Sequence, residues 1–231
     1  MTRVPNPILE EIYRENCVRD MQGNVMPGLP PLSPELSYAL YNTVLQAKPK
    51  VAIEVGMAFG TSTLAILTAL AELGGERLLI SIDPAQKAFK GIGLANVERA
   101  GFKHMHRLIE DYDYFALPDL MRTQKEVGFC YIDGWHTFDY VLLDWFYTDK
   151  MLPVGGIVGF NDCGFKSIHK FIKFMLRHRK YEEIDVGLKP DYHGRNLLAT
   201  LQRKFTGRSG ADRYFRKIDT WEPDHNYFHE F

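Results

Sequence analysis

The sequence predicts an α/β fold with a mostly parallel sheet covered by helices on both faces. From about residue 34 onward, short apolar segments alternate with longer amphipathic ones, and several short segments are apolar at every position. Strands buried on both faces have this continuous apolar pattern, and alternation of strands with helices is typical of parallel sheets. The length of 231 residues, with 45% apolar and 25% charged residues, suits one domain with a short cap.

Charge, cysteine content and hydropathy exclude several classes of protein. Lysine and arginine total 28 against 29 acidic residues, so no positive field favours general nucleic-acid binding. Cys17, Cys130 and Cys163 form no Cys-x-x-Cys pair, which argues against a disulfide framework and a structural zinc site. The first residues lack the apolar core of a signal peptide, and no run of about 18 apolar residues occurs. We therefore expect a soluble cytoplasmic protein that binds neither nucleic acid nor membrane.

The elements are predicted in order along the chain. Residues 1–33 are expected to be an irregular cap because prolines interrupt them, and Ser33 is expected to cap a helix that Pro49 ends. Strands are predicted at 51–55, 78–82, 103–108, 129–132 and 156–160, and helices at 61–73, 86–100, 114–124, 138–150 and 168–178. Residues 181–188 and 197–205 have the pattern of two further strands joined by a turn.

These elements predict three parts: the cap 1–33, a domain over 34–205, and an aromatic-rich tail over 206–231 that packs on the domain. The aromatic terminal segments also suit a contact between two copies, so a homo-oligomer stays open.

Ligands of open parallel sheets bind beyond the carboxyl ends of the strands, so the residues there are candidates. The first strand of the predicted sheet is followed by Gly56 and Gly60, which let backbone approach a ligand or only allow close packing. Asp83 follows the next strand. Its carboxylate is suited to accept hydrogen bonds from both hydroxyls of a ribose, or it only begins a helical turn.

Four motifs in this order resemble class I S-adenosylmethionine-dependent methyltransferases, in particular the branch with small-molecule O-methyltransferases. They are Glu54-Val55-Gly56-x-x-x-Gly60-Thr61-Ser62, Ile82-Asp83, Tyr131-Ile132-Asp133-Gly134-Trp135-His136, and Leu152-Pro153-Val154-Gly155-Gly156 through Asn161-Asp162-Cys163. The resemblance covers roughly residues 34–205. It implies a Rossmann-like, doubly wound sheet of seven strands with an antiparallel last strand and an N-terminal helical cap.

The resemblance also implies S-adenosylmethionine as cofactor and methyl transfer to a hydroxyl of a small molecule, such as a sugar or a natural-product phenol. The cofactor-binding residues that it implies are Glu54, Gly56, Ala58, Gly60, Thr61, Ser62, Asp83, Glu110, Asp111 and Asp133. Glu110 and Asp111 follow the third strand, where the family contacts the adenine amino group.

Two other functions are alternatives to methyl transfer. A nicotinamide-dependent oxidoreductase needs Gly-x-Gly-x-x-Gly at this turn, but Ala58 occupies the second glycine position and Glu54 is expected to point a carboxylate toward the space of a pyrophosphate. Gly91-Ile92-Gly93 lies inside a predicted helix and adds little to that reading. A cofactor-binding protein without turnover is the second alternative.

The catalytic candidates are His136 and Asp133. Proton removal from an acceptor hydroxyl needs a base, and an imidazole titrates near neutral pH. A metal offers another route, because Asp133, Asn161 and Asp162 stand at strand ends where metal-dependent relatives carry ligands, and oxygen ligands suit Mg²⁺. The order Asn161-Asp162 is the reverse of the Asp-Asn usual in catechol methyltransferases, so Mg²⁺ binding stays open.

Overall fold

The computed structural model describes residues 3–27, 32–124, 126–194 and 196–231. It begins with helix α1 (Pro7–Glu15), followed by an antiparallel hairpin of β1 (Cys17–Arg19) and β2 (Val25–Pro27), and then helix α2 (Pro34–Ala47). The side chain of Asn6 caps α1 by accepting hydrogen bonds from the backbone amides of Ile8 and Leu9.

The prediction of an irregular cap is therefore wrong for residues 7–27. Pro7 stands in the first turn of α1, where a helix needs no amide donor, so this proline favours the helix that it was expected to prevent. Leu9 and Ile12 then bury one face of α1 against the core. The part of the predicted segment at 28–31 lies outside the described residues.

Seven strands form the central sheet. They are β3 (Val51–Val55), β4 (Leu78–Ile82), β5 (His106–Ile109), β6 (Val127–Ile132), β7 (Ile157–Phe160), β8 (Tyr181–Ile184) and β9 (Arg213–Lys217). Their order across the sheet is β5-β4-β3-β6-β7-β9-β8. Strand β9 runs opposite to the other six strands, which are parallel to one another. The predicted doubly wound, mostly parallel sheet with an antiparallel last strand is confirmed. The strand order reverses between β3 and β6, which is where such sheets bind ligands.

Helices cover both faces of the sheet. They are α2 together with α3 (Thr61–Leu73), α4 (Ile92–Arg99), α5 (Asp113–Thr123), α6 (Phe138–Met151), α7 (Lys166–His178) and α8 (Leu197–Thr206). Side chains of α2, α3 and α4 form one core with Ala52 of β3, and those of α5, α6 and α7 form the other with the neighbouring Ile53. Adjacent residues of one strand thus enter opposite cores, which explains the continuous apolar pattern of the strands. None of the described helices combines the length and the apolar character that crossing a bilayer requires.

The prediction of a strand over 197–205 is wrong, because this segment is helix α8. Its apolar residues Leu197, Leu198, Leu201 and Phe205 share one helical face, and the side chain of Asn196 accepts a hydrogen bond from the amide of Ala199 as an N-cap. The last strand is β9, where Tyr214 and Phe215 are both fully buried. The sheet therefore extends beyond residue 205, where the predicted domain ends, and includes part of the predicted tail.

Candidate active site

A cavity of about 650 Å³ lies at the carboxyl ends of β3, β4 and β6, and this volume is typical of small-molecule sites. It brings together five of the predicted site residues, namely Gly56, Ala58, Asp83, Asp133 and His136. Its wall also contains aromatic side chains that sequence reasoning missed, namely Phe89, Tyr112, Trp135 and Tyr140. Only Trp135 stands in one of the motifs, and the other three residues come from separate segments that the fold brings together.

The two glycines of the first motif serve close backbone packing. Gly56 has a φ of +88°, and a Cβ there would overlap the backbone carbonyl of Asp133 at the end of β6. Gly60, with a φ of +79°, precedes α3, and its Cβ would lie 3.1 Å from the Cα of Gly93. Gly93 in turn faces the carbonyl oxygen of Ala58. The Gly91-Ile92-Gly93 segment, to which we assigned no role from sequence, thus packs against the loop after β3.

Glu54 does not reach the cavity. Its carboxylate is fully buried and accepts hydrogen bonds from the hydroxyls of Ser62 (2.6 Å), Thr63 (2.7 Å) and Ser81 (2.6 Å). Burial raises the pKa of Glu54 to about 7, although the three hydroxyl donors work in the opposite direction. The expectation that Glu54 points its carboxylate toward the ligand is wrong, because polar partners on α3 and β4 hold it inside the core. Thr61 and Ser62 are also buried at the start of α3 and do not line the cavity.

Asp83 both shapes the cavity and lines it. Its Oδ2 accepts from the backbone amides of Met57 (3.0 Å) and Ala58 (2.7 Å), which fixes the loop after β3 to the end of β4. Its Oδ1 accepts from the amide of Ala85 at 2.7 Å, as at the start of a helical turn. Both sequence interpretations of Asp83 are therefore compatible, because a carboxylate oxygen with one donor can accept a second.

The acidic residue at the cavity wall after β5 is Asp113. Glu110 and Asp111, which were predicted to contact adenine, are exposed and do not line the cavity. Asp113 is buried at the start of α5, and its Oδ1 accepts a hydrogen bond from the amide of Tyr114 at 2.8 Å. An acidic residue in the first turn of a helix that follows a strand of the sheet was the available sequence signal.

His136 lies between two carboxylates. Its Nε2 is 3.4 Å from Oδ1 of Asp133 and 3.6 Å from Oδ2 of Asp162, and its ring stacks on Phe165 with centroids 5.3 Å apart. Burial disfavours the imidazolium, but the hydrogen bond and charge of Asp133 and the charge of Asp162 outweigh it and raise the pKa of His136 above 6.5. Burial raises the pKa of Asp133 to about 6, against the effect of His136. The arrangement suits a base whose protonated form is stabilised.

Each of the three predicted metal ligands contacts another side chain of the protein. The imidazole of His136 lies within ion-pair distance of both Asp133 and Asp162, and the amide of Asn161 donates to Asp212 at 2.9 Å. Within the described part of the chain, no three His, Cys, Asp or Glu side chains are grouped so as to hold a metal ion. The residues as placed therefore do not fit a Mg²⁺ site.

A second cavity, of about 660 Å³, lies beyond the edge strand β8. Its wall includes His169, Lys173 and the pair of Arg213 with Glu183, whose guanidinium and carboxylate meet through two contacts of 2.6 Å. Arg213 and Glu183 therefore form an ion pair with each other in the second cavity, whereas the first cavity presents carboxylates and an imidazole to an incoming ligand. The first cavity is therefore the candidate active site.

Residues 53–163, which contain all four motifs and the sheet strands from the second half of β3 through β7, match a family model described as a methyltransferase domain. This part of the chain resembles a methyltransferase domain. A comparison with curated protein sequences finds no match.

Solved structures are similar in fold to nearly the whole chain, and not only to residues 53–163. The O-methyltransferase TomG from Streptomyces achromogenes, involved in tomaymycin synthesis and in complex with SAM, has a TM-score of 0.68 at 14% identity, over 95% of this chain and 93% of that chain. The O-methyltransferase from Bacillus cereus in complex with SAH has a TM-score of 0.67 at 14% identity, over 92% and 90%. SAH-bound methyltransferase PaMTH1 from Podospora anserina has a TM-score of 0.65 at 14% identity, over 94% and 90%.

The site residues fall into two groups by what they contact. One group holds the protein together: Glu54, Gly56 and Gly60 fix the loop after β3 and the start of α3. The other group faces the cavity: Asp83 and Asp113 on the side of β4 and β5, and Asp133 with His136 at the end of β6. A ligand in the cavity therefore meets hydrogen-bond acceptors at one end and an imidazole at the other.

Proposed function

We propose that the protein is an S-adenosylmethionine-dependent O-methyltransferase that methylates a hydroxyl group of a small molecule. The observation that carries the proposal is the cavity in the methyltransferase-like part of the chain, with Asp83 and Asp113 at one end and His136 at the other. The similar structures from Bacillus cereus and Streptomyces achromogenes, which contain SAH and SAM, support the choice of cofactor.

The residues of the cavity fit this cofactor. The carboxylate of Asp83 would accept hydrogen bonds from the ribose hydroxyls, and Asp113 would accept from the amino group of adenine, while Phe89 and Tyr112 offer apolar surface to the ring. Asp83, Asp113 and Asp133 line the described cavity, and no lysine or arginine does. Such a wall repels a pyrophosphate and tolerates an ammonium and a sulfonium, which disfavours a nicotinamide dinucleotide. The cofactor, when bound, supplies an electrophilic methyl group.

His136 is the residue that would remove the proton from the acceptor hydroxyl. The imidazolium that results is stabilised by the carboxylates of Asp133 and Asp162, whose oxygens lie 3.4 and 3.6 Å from Nε2. No metal ion is needed for this step, because the base itself takes the proton.

The acceptor would bind beside exposed aromatic surface. Trp135 is 67% exposed and Phe165 is 47% exposed, and both flank His136. Aromatic side chains exposed at a cavity mouth suit a planar phenol or the apolar face of a sugar ring. We therefore propose a hydroxylated ring compound as acceptor.

The test uses isotope-labelled S-adenosylmethionine with a panel of phenols and sugars, after calorimetry has established binding of S-adenosylhomocysteine (SAH). Transfer of label to a hydroxyl of one acceptor is the expected result. Thermal protection by NADH but not by SAH would support an oxidoreductase. Binding of SAH with no transfer to any hydroxylated compound would support a cofactor-binding protein without turnover.

A further inference from the structure

Asp144 is a buried carboxyl group for which the proposed mechanism has no use. It lies on α6, its side chain is fully buried, and neither of its oxygens has a hydrogen-bond donor among the described residues. An ionised carboxylate without a donor is very costly to bury, so such a group takes up a proton instead.

Two neighbours place Asp144 directly behind the wall of the cavity. A Cβ built on Gly134 would lie 3.7 Å from Oδ2 of Asp144, and Gly134 lines the cavity. The carboxyl group of Asp144 also faces that of Asp113, which lines the cavity from the start of α5. Asp113 therefore stands between Asp144 and the ligand.

The proton that Asp144 takes up lies beside Asp113. Two carboxylates in contact cannot both stay ionised, and burial together with the charge of Asp113 raises the pKa of Asp144 well above its ordinary value. Asp113 is the more suitable hydrogen-bond acceptor of the two, because it reaches the cavity and already accepts a hydrogen bond from the amide of Tyr114. The proton therefore belongs on Asp144, whose carboxyl group can then donate a hydrogen bond to Asp113.

We propose that Asp144 is a positioning residue whose protonated carboxyl group donates a hydrogen bond to Asp113 and so fixes Asp113 as an acceptor facing the ligand. With the amide of Tyr114, this bond holds the Asp113 carboxylate at two points. This inference rests on the proposed function, because the amino group that Asp113 would recognise is that of adenine.

The consequence is selectivity for an amino group at the purine ring. A ligand in which a carbonyl oxygen replaces this amino group would place an acceptor against the carboxylate, and sites built around a ligand N–H reject such analogues strongly. Selectivity requires the Asp113 carboxylate to stay in place, since a carboxylate free to rotate away loses little when the amino group is absent.

The experiment measures by calorimetry the affinities of SAH and of S-inosylhomocysteine, in which hypoxanthine replaces adenine. The wild-type protein should prefer SAH by about 10–100-fold, the range for one hydrogen bond to a charged group. Asp144→Asn keeps a donor and should keep most of this preference. Asp144→Leu lacks a donor and should lose most of it. Val141→Ala, a buried change one turn earlier on α6 that removes no carboxyl group, should leave the preference unchanged.

An infrared measurement covers the case in which Asp144→Leu does not fold. Wild type minus Asp144→Asn should show one protonated carboxyl band at neutral pH, and the band should shift when SAH binds. Retention of the full preference by folded Asp144→Leu, or the absence of this band, would overturn the inference. Failure of the wild-type protein to bind SAH at all would instead overturn the proposed function.

Discussion

The side-chain amide of Asn161 donates a hydrogen bond of 2.9 Å to the carboxylate of Asp212 and thereby joins the end of β7 to the start of β9. The same carboxylate accepts from the hydroxyl of Tyr131 at 2.7 Å and from that of Tyr214 at 3.3 Å. Three donors to the buried carboxylate of Asp212 thus hold the start of β9 beside the end of β7. The next residue after Asn161 is Asp162, which lies near the candidate base His136, so these hydrogen bonds also fix the backbone beside that base. The bond also turns the amide of Asn161 toward the protein.

Asp212 should make the stability of the protein depend on pH. Burial raises its pKa to about 7, so the folded state favours the protonated form. The corresponding stabilisation is complete below the unfolded pKa of 3.8 and is lost as the pH rises through 7. Asp212→Asn should remove this part of the pH dependence, as measured by urea unfolding between about pH 5 and pH 8. The exposed Asp224→Asn controls for loss of one charge, and an equal pH dependence in Asp212→Asn and wild type would contradict the prediction.

Gly56→Ala should be more destabilising than Gly155→Ala. Both glycines have nearly the same backbone conformation, with φ of +88° and +91°, so both variants carry similar strain of about 1–2 kcal/mol. Only the Cβ at position 56 overlaps the carbonyl of Asp133, because nothing surrounds a Cβ at position 155. The overlap should add about 1–3 kcal/mol and weaken SAH binding. Equal unfolding free energies of the two variants would show that the loop after β3 moves away without cost.

His136→Ala should lower the rate of methyl transfer about 10²–10⁴-fold and leave SAH affinity nearly unchanged. The rate of the wild-type protein should rise with pH through an ionisation above 6.5, because Asp133 and Asp162 stabilise the imidazolium that cannot act as a base. Asp162→Asn should shift this ionisation to lower pH. Asn is suited to the positive φ of 51° at this position, so the backbone should be preserved. A pH profile that ignores both changes would remove His136 from the role of base.

Chelation of metal ions by EDTA should leave the rate unchanged. The basis is the position of the imidazole, whose Nε2 lies within ion-pair distance of both carboxylates and so occupies the space between Asp133 and Asp162. Loss of turnover in EDTA, its return with Mg²⁺, and an equal loss in Asp162→Ala would instead support the ligand set Asp133, Asn161 and Asp162.

Asp149→Ala should destabilise the protein by about 3–5 kcal/mol, the usual effect of breaking a buried ion pair. Nζ of Lys217 lies 3.1 Å from the Asp149 carboxylate, and both side chains are buried, so Lys217 would lose its partner. Adding Lys217→Met should recover part of the loss, since the unpaired charge is then gone. As a control, Asp119→Ala breaks the exposed pair with Arg122 and should cost about 0–1 kcal/mol. Urea unfolding of the four proteins measures all the differences.

The parts of the fold that were predictable from sequence are those with a regular apolar pattern. The strands β3, β4, β6 and β7 are buried on both faces and largely apolar, so their positions and their parallel direction were predicted. The segment 197–205 was not predictable in the same way. The apolar character of its leucines is compatible with a helix as well as with a strand. The helix is favoured by the N-cap Asn196, and the place of a strand beside β8 is taken by β9, which lies further along the chain.

The candidate site was predictable in position but not in the direction of its side chains. Glu54 has the sequence context of a ligand-binding acid, yet three hydroxyls on α3 and β4 bind it, and this requires the register between β3 and β4. Asp113 was missed in favour of Glu110 and Asp111 because a shift of two residues in the start of α5 decides which acid faces the cavity.

The position of β9 between β7 and β8 determines the order in which the sheet can be completed during synthesis. The edge strand β8 pairs only with β9 in the sheet, and β9 is the later of the two along the chain. A nascent chain that has emerged as far as residue 205 therefore has no template on which β8 can pair, and β7 presents an open edge. Asp212, which fastens Asn161 next to the candidate base, arrives with the same segment. Ligand affinity on the ribosome should thus appear late and abruptly, after residues 212–217 have left the exit tunnel, rather than grow with chain length.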